Sequence, residues 1–195
     1  MVRALSAFLF PLLLIGCAGD LSDPPSEPSD NLLVLFDFDE AQSTEWTVEN
    51  DGVMGGQSEG LVSISDGTLV FTGTVVTEGG GFTSVRGEQD ADLSAYAGLE
   101  LRVRGIERTF EVDVYDGTQN AGREVNRRAA FPAGNVWQNV RIPFASLQPS
   151  VHGEPVRTDA LDLSAIESIG VYISDGNDGP FWLEIDAISA YREAE

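Results

Sequence analysis

The sequence predicts an all-β fold, an antiparallel β-sandwich or barrel. The first observation is a period of two: Leu99, Leu101 and Val103 alternate with charged residues, as in a half-buried strand. The second is a set of turn signals between the apolar runs, namely SDGT, EGGG, YDGTQNAG, PAGN and SDGNDGP. Many short strands at this spacing, without long helical periods, are typical of antiparallel sandwiches and barrels.

The predicted strands follow one another along the chain from residue 32 onward. In chain order they are 32–38, 61–65, 68–75, 81–86, 99–105, 110–116, 136–144, 168–174 and 181–191. One local pattern occurs twice, DLSAYAGLELRV at 92–103 and DLSAIESIGVYI at 162–173. In each copy Asp and Ser can cap a single helical turn before the alternation of a strand begins. We expect the same turn-into-strand device at two sheet entries.

The first residues predict a location at the cell envelope. Residues 1–16 combine Arg3 with an apolar run and have the pattern of a cleaved secretory leader. The stretch LIGC at 14–17 resembles the lipobox of bacterial lipoproteins, in which Cys17, the only cysteine of the chain, becomes lipidated. An ordinary leader with an incidental cysteine is the alternative. With Ala18 next to Cys17, the protein should lie in the outer membrane and face the periplasm in a Gram-negative cell.

Composition divides the rest of the chain into a tether and one domain. Residues 17–31 are rich in Pro, Ser and Asp, which predicts a disordered tether that follows the lipidated Cys17. Residues 32–193 have the size of one domain. The net charge of −21 excludes nucleic acid as a partner, because binding to it depends on cationic contacts. The acids are scattered and no lysine is present, which favours a solvating surface over an acidic patch for a basic partner.

The glycine-rich stretch 49–60 predicts a structural corner. A Walker-type phosphate loop needs a lysine, and a dinucleotide fingerprint needs a helix to follow, whereas the β-forming LVSIS follows here. Gly55 and Gly56 supply backbone angles that other residues resist, and we expect Val53 and Met54 to pack inward. A role in catalysis or ligand binding remains the alternative for this stretch.

Candidate catalytic and metal-binding residues are few. His152 is the only histidine and has no nucleophile motif near it, so no catalytic residue is assigned. The stretch DGNDGP offers Asp175, Asn177 and Asp178 as a weak calcium candidate, but Gly179 stands where an oxygen ligand is needed. A hairpin turn is the better interpretation. No cofactor is predicted, and a carboxylate pair for glycoside hydrolysis stays open among so many acids.

Aromatic side chains give a second candidate surface. By alternation Tyr115 and Trp182 point away from the apolar faces of their strands, so they are candidates for stacking on sugar rings. Most aromatic residues of the chain should instead be packed in the core.

Several stretches together resemble one known family. They are NDGVMGGQS at 50–58, FTGTVVTEGGGFTSVR at 71–86, GLELRVRG at 98–105, VWQNVRIPFASLQP at 136–149 and IESIGVYISDGNDGPFWLEIDAI at 166–188. In this order they resemble the complex I intermediate-associated protein 30 family, over nearly the whole domain. The resemblance implies a jelly-roll sandwich of the galactose-binding type. It also places these residues at the signature positions: Asn50, Asp51, Gly52, Val53, Met54, Gly55, Gly56, Ser58, Gly80, Gly81, Phe82, Ser84 and Arg86.

The resemblance implies a non-catalytic role, because the mitochondrial members assist assembly of respiratory NADH:ubiquinone oxidoreductase by binding an intermediate. We therefore expect a lipid-anchored assembly or scaffolding factor with a protein partner. Carbohydrate binding by a galactose-binding-like module is the alternative, and a carboxylate-dependent hydrolase is the least favoured hypothesis. A buried Arg86 paired with Asp51 or Glu78 would make the signature structural. A flat patch around Asn50, Asp51 and Arg86 would favour a protein partner.

Overall fold

The fold was obtained from a computed structural model, which describes residues 31–39 and 44–193. The predicted leader, Cys17 and the tether up to residue 30 lie outside the described residues, and so do the side chains of Val53 and Met54. In the described part no helix is long and apolar enough to cross a membrane. Short 3₁₀ turns occur at Asp51–Met54 and Phe144–Ser146.

Apart from two short 3₁₀ turns, all regular secondary structure in the described residues is β-strand. The strands are β1 Leu32–Phe36, β2 Trp46–Asn50, β3 Glu59–Ser65, β4 Thr68–Val75, β5 Thr83–Ala91, β6 Gly98–Gly105, β7 Thr109–Tyr115, β8 Gln119–Asn120, β9 Arg123–Glu124, β10 Asn126–Pro132, β11 Gln138–Pro143, β12 Gln148–Val151, β13 Glu154–Pro155, β14 Ile166–Ile173 and β15 Gly179–Tyr191. Every strand pair is antiparallel in the described residues. The predicted all-β antiparallel fold is confirmed.

Two large sheets pack face to face. Sheet A has the order β11-β6-β15-β4-β3, and β1 pairs with the second half of the long central strand β15. Sheet B has the order β13-β12-β10-β7-β14-β5-β2. Strands β8 and β9 form a separate hairpin. Neighbours in each sheet are mostly distant in sequence, as in a jelly roll.

The core lies between the inner faces of the sheets and follows the alternation of each strand. Phe71 and Phe181 of sheet A meet edge to face, with ring centroids 4.8 Å apart. Phe110 of sheet B reaches Phe181 at 6.2 Å, so aromatic rings join the two layers. Leu99, Leu101 and Val103 are fully buried, as their period of two predicts.

Of the strands with five or more residues, two were not predicted from the sequence. The first is β2, a short run in which Trp46 and Val48 pack against the core while Glu49 is exposed. The second is β10, which holds Arg127 toward the interior and Arg128 on the outer face of sheet B. The adjacent arginines hide the alternation of buried and exposed side chains in β10, because Arg127 is buried in an ion pair with Asp116.

The repeated Asp-Leu-Ser pattern forms the same turn twice, and the copies touch. Asp92 accepts a hydrogen bond from the backbone N–H of Ser94, and Asp162 accepts one from that of Ser164, each at 3.0 Å. These are Asx turns, without a regular helical turn. The N–H of Leu93 donates to the carbonyl of Leu163 at 2.6 Å. The turns lead into β6 of sheet A and β14 of sheet B, so they tie the two sheet entries together.

Candidate functional site

The glycine-rich signature folds around the buried carboxylate of Asp51, which is 0% exposed. Its Oδ1 accepts the backbone N–H of Ser58 at 2.9 Å, and its Oδ2 accepts the Ser58 hydroxyl at 2.7 Å. The same Oδ2 accepts the backbone N–H of Gly81 at 2.6 Å and that of Phe82 at 3.3 Å. One side chain thus fastens segment 50–60 to segment 76–83. We call these two segments the signature corner.

Two glycines leave the space that Asp51 occupies. A Cβ on Gly56 would lie 2.2 Å from Asp51 Cγ, and a Cβ on Gly80 would lie 2.5 Å from its Oδ2. Gly55 has a different task, since its φ of 89° lies in the left-handed region and closes the 3₁₀ turn. The glycines of the signature therefore serve the packing and backbone of the corner.

Asn50 and Ser58 complete the corner. Asn50 Oδ1 accepts the N–H of Gly60 at 3.0 Å and the hydroxyl of Thr83 at 2.6 Å. Ser58 Oγ accepts the N–H of Val76 at 3.0 Å. Burial acts to raise the pKa of Asp51, but the hydrogen bonds from Gly81, Ser58 and Phe82 outweigh it and hold that pKa below its ordinary value. The side chains of Asn50, Asp51 and Ser58 all bond inward.

Arg86 lies apart from the corner, on the outer face of sheet B. Its Nη1 donates to Glu124 Oε1 at 2.6 Å and its Nη2 to Asp113 Oδ2 at 3.1 Å. It therefore pairs with neither Asp51 nor Glu78. Gly170 stands between Arg86 and Asp113 in the cross-strand register, and the missing side chain lets the guanidinium cross strand β14.

A cleft of about 800 Å³ opens on this outer face, within the usual range of ligand sites. Its walls are the loops around 77–82 and 174–176 and the hairpins β8–β9 and β12–β13, and its floor is the polar face of sheet B. The side chains that line it include Glu49, Phe82, Ser84, Arg86, Arg123, Glu124, Asn126, Arg128, His152 and Tyr172. The flat patch around Asn50, Asp51 and Arg86 that would favour a protein partner is not formed in the described residues.

An aromatic and guanidinium stack forms one side of the cleft. The rings of Phe82 and Tyr172 stack with centroids 5.0 Å apart and planes 18° apart. The guanidinium carbon of Arg128 lies 3.6 Å from the centroid of the Tyr172 ring. Burial raises the pKa of the Tyr172 hydroxyl, so Tyr172 stays neutral at physiological pH. Phe82 keeps part of its surface toward the cleft.

Asp113 lies under the cleft with a 4% exposed surface. Its Oδ2 accepts from Arg86 and, at 2.8 Å, from Asn126 Nδ2. Its Oδ1 lies 3.7 Å from Nε of Arg128, and neither atom has a hydrogen-bond partner within the described part of the chain. Burial raises the pKa of the Asp113 carboxyl above its usual value, although the charges of Arg128 and Arg86 act to lower it.

The two aromatic residues predicted for sugar stacking are not brought together. Tyr115 lies on the outer face of sheet B, where it lines a neighbouring cleft of about 820 Å³ with acidic residues. Trp182 lies on the outer face of sheet A, because its neighbours Phe181 and Leu183 point into the core. The two rings are on opposite sides of the sandwich and cannot contact one sugar.

The weak calcium candidate is occupied by an arginine. The guanidinium of Arg108 donates to both carboxylate oxygens of Asp175, at 2.5 and 2.9 Å, and to the carbonyl of Asn177. Asp178 instead accepts the N–H of Thr77 at 2.6 Å. In residues 31–39 and 44–193 no group of three or more His, Cys, Asp and Glu side chains is arranged to hold a metal.

His152 lies at the rim of the cleft and is exposed. It occupies the tip of the hairpin β12–β13 with a φ of 51°, next to Gly153 with a φ of 81°. Consecutive left-handed residues are typical of a two-residue hairpin turn.

The residues that sequence reasoning missed are Asp113, Arg128, Asn126 and Tyr172. Of these four residues, only Asp113 and Tyr172 could have been found from the sequence, because they alternate with the buried apolar residues of their strands and so point outward.

Solved structures similar to this chain include carbohydrate-binding modules and an agarase. A family 11 carbohydrate-binding module of a cellulosomal cellulase of Clostridium thermocellum has a TM-score of 0.65, with 16% identity over 86% of this chain and 98% of that chain. The module in complex with a β-1,3-1,4-mixed-linked tetrasaccharide has a TM-score of 0.64, with 16% identity over 86% and 99%. An agarase has a TM-score of 0.56, with 18% identity over 84% of this chain and 25% of the agarase. At these identities the likeness shows the fold, a galactose-binding-like jelly roll.

Sequence relatives give the family. Complex I intermediate-associated protein 30, mitochondrial, of Mus musculus is 30% identical over 184 residues, which covers 82% of this chain and 56% of the mouse protein. The probable mitochondrial counterpart of Caenorhabditis briggsae is 26% identical over 82% of this chain and 54% of its own length. The chain thus spans about half the length of the curated relatives it matches. The sequence model of the family matches residues 36–185, which include both the signature corner and most of the cleft. The chain therefore belongs to the complex I intermediate-associated protein 30 family.

Proposed function

We propose that this protein is a non-catalytic assembly or scaffolding factor, anchored to the cell envelope by lipid on Cys17, which holds a protein partner in the cleft of sheet B. The observation that carries the proposal is the convergence of Arg86, Asp113 and Arg128 on the open face of the sheet. The signature corner uses its polar groups internally. The cleft is therefore the better candidate for contact with another molecule.

The relatives support the assembly part of the proposal through what their names say of them. The mouse protein is named as an intermediate-associated protein of complex I. For this chain the partner should be a membrane or envelope protein exposed on the same side as the lipid anchor. In a Gram-negative cell that side is the periplasm, with the anchor in the outer membrane.

Photo-crosslinking in native membranes tests the proposal. A photoreactive phenylalanine analogue replaces Ser84, which lines the cleft, and in a control it replaces Ser63, which is exposed on β3 of sheet A. The Ser84 position should recover a defined protein partner that the Ser63 position does not. Identical partner lists from the two positions, or from an unrelated lipoprotein, would reject the proposal.

Carbohydrate binding is a second candidate function of the same cleft. The specific observation in its favour is the combination of the Phe82 ring with convergent amide, carboxylate and guanidinium groups. The similar module from Clostridium thermocellum was solved with a mixed-linked tetrasaccharide, which is compatible with this candidate. The absence of binding on a glycan array, and in calorimetry at millimolar sugar, would reject carbohydrate binding as a function of the cleft.

A further inference from the structure

The cleft carries balanced charge in a strongly acidic chain. Its ionised side chains are Arg86, Arg123, Arg128, Glu49, Glu124 and, below them, Asp113. Three positive and three negative charges cancel, whereas the whole chain carries −21. An anionic ligand would meet the three carboxylates, and a cationic ligand the three guanidinium groups. Charge complementarity therefore favours an uncharged, polar ligand.

One pair on the floor of the cleft is incomplete. Asp113 Oδ1 and Arg128 Nε are buried, 3.7 Å apart and without other partners in the described residues. That separation is too long for a direct hydrogen bond. Buried charged groups normally have hydrogen-bond partners, so an unpaired acceptor beside an unpaired donor is suited to a group that both donates and accepts.

A single hydroxyl oxygen matches the pair. An oxygen placed about 2.8 Å from each atom can donate its proton to Asp113 Oδ1 and accept from Arg128 Nε. An ionised carboxylate can only accept, and either anion, carboxylate or phosphate, would be repelled by Asp113. An ammonium can only donate and would be repelled by Arg128. Hydroxyl groups occur in closely spaced rows on sugars, whose apolar ring faces also suit the flanking Phe82.

We propose that Asp113 and Arg128 form the anchoring point for a sugar hydroxyl, and that the cleft selects uncharged glycan chains over anionic glycans and acidic peptides. The inference rests on the second candidate function, carbohydrate binding, since the cleft must be the surface that holds the sugar. Binding requires a small shift of the Arg128 side chain, which is 15% exposed, to admit the hydroxyl. Arg86 and Asn126 hold the other oxygen of Asp113 in place meanwhile.

Calorimetry with the full chain in detergent tests the inference. The neutral probes are cellotetraose, a mixed-linked β-1,3-1,4-glucotetraose and agarotetraose, and the charged probes are an oligogalacturonate and an oligoglutamate peptide. At least one neutral probe should bind, and the charged probes should bind far more weakly. Asp113→Asn and Arg128→Gln should each weaken the binding of that probe by about 10- to 100-fold, as expected for loss of a hydrogen bond to a charged group.

Arg141→Gln is the matched control. Arg141 also pairs with a carboxylate, Glu100, and lies over a tyrosine ring, Tyr191, but on the outer face of sheet A. It should leave sugar affinity unchanged. Thermal melting checks that each variant folds, and Arg128→Gln decides the question if Asp113→Asn does not fold. A deoxy analogue that lacks the contacting hydroxyl should bind more weakly to the wild type and show no further loss with Arg128→Gln.

The outcomes separate this inference from the proposed function. A protein partner crosslinked through Ser84 without any binding of neutral sugars would leave the proposed function standing and overturn the inference. Tighter binding of the oligogalacturonate or the peptide, lost in Arg128→Gln, would also overturn it. Sugar binding that both substitutions leave unchanged would mean that the pair holds an internal water, and would overturn it as well.

Discussion

Replacement of Asp51 tests whether the family signature is structural. The change Asp51→Asn keeps the size of the side chain but sets an amide N–H₂ against groups that already donate. Of the four hydrogen bonds that Asp51 accepts, the bond from Phe82 is long at 3.3 Å, and the Ser58 hydroxyl has the carbonyl of Val76 as a second acceptor at 3.3 Å. The strong bonds from the N–H groups of Ser58 and Gly81 reach different oxygens of Asp51, and asparagine keeps only one oxygen as an acceptor. One of these two buried N–H groups is therefore left unpaired, which costs about 1–3 kcal/mol.

Urea unfolding followed by tryptophan fluorescence measures this loss. Because a domain of this size loses about 2 kcal/mol of unfolding free energy per M of urea, Asp51→Asn should shift the midpoint by roughly 0.5–1.5 M. The matched control is Asp92→Asn. Asp92 also accepts a backbone N–H, that of Ser94, but at the surface, where water replaces the bond. The control should leave the midpoint nearly unchanged.

Stability that survives Asp51→Asn would refute this account of the corner. If the variant unfolded with the wild-type midpoint but lost its crosslinked partner, Asp51 would be a ligand-binding residue. The acid side gives a second check. Because the folded pKa of Asp51 lies below the unfolded value of about 3.9, its contribution is present above that pH and is lost as the pH falls through the folded pKa. The wild type should therefore lose its advantage over Asp51→Asn below about pH 4.

Three further predictions concern the signature glycines, a buried ion pair and the proposed lipid anchor. Gly56→Ala should lower the free energy of unfolding by about 1–3 kcal/mol or more, because its Cβ would lie 2.2 Å from Cγ of Asp51. Gly55→Ala should lower it by about 1–2 kcal/mol, because the φ of 89° at this position is unfavourable for alanine. Equal melting temperatures for both variants and the wild type would contradict this prediction. Arg127→Met should lower the free energy of unfolding in urea by about 3–5 kcal/mol, because it leaves the buried carboxylate of Asp116 without the guanidinium that lies 2.7 Å from it. A loss below about 1 kcal/mol would count against a structural role of this ion pair. Cys17→Ser should abolish labelling by a palmitate analogue and move the protein to the soluble fraction, and retained label would disprove lipidation at Cys17.

The fold was largely predictable because the hydrophobic pattern states which face of each strand is buried. Strand β6 has the alternation of Leu99, Leu101 and Val103, and the structure buries all three. Strand β10 escaped prediction because Arg127 points inward, where a buried ion pair replaces the expected apolar side chain. Val136, predicted to begin a strand, is 67% exposed and precedes β11. Local pattern thus fails where a charged residue is buried by pairing.

The cleft could not be predicted in the same way, because its residues come from separate strands. Arg86, Asp113, Arg128 and Tyr172 lie on β5, β7, β10 and β14 and meet only through the strand order of sheet B. The signature corner shows the opposite case. Its glycines were visible as a local motif, but the role of Asp51 depends on Gly81, which is 30 residues away.

The guanidinium group of Arg108 lies across the loop 175–180 and makes the shape of this loop independent of dissolved metal ions. Arg108 bonds to the carboxylate of Asp175 and to the carbonyls of Asn177 and Gly179. A loop held by dissolved calcium loosens whenever the ion is chelated. Here the positive charge is covalently attached to the chain, so a chelator cannot remove it. One wall of the cleft therefore keeps its shape whatever the concentration of free divalent ions.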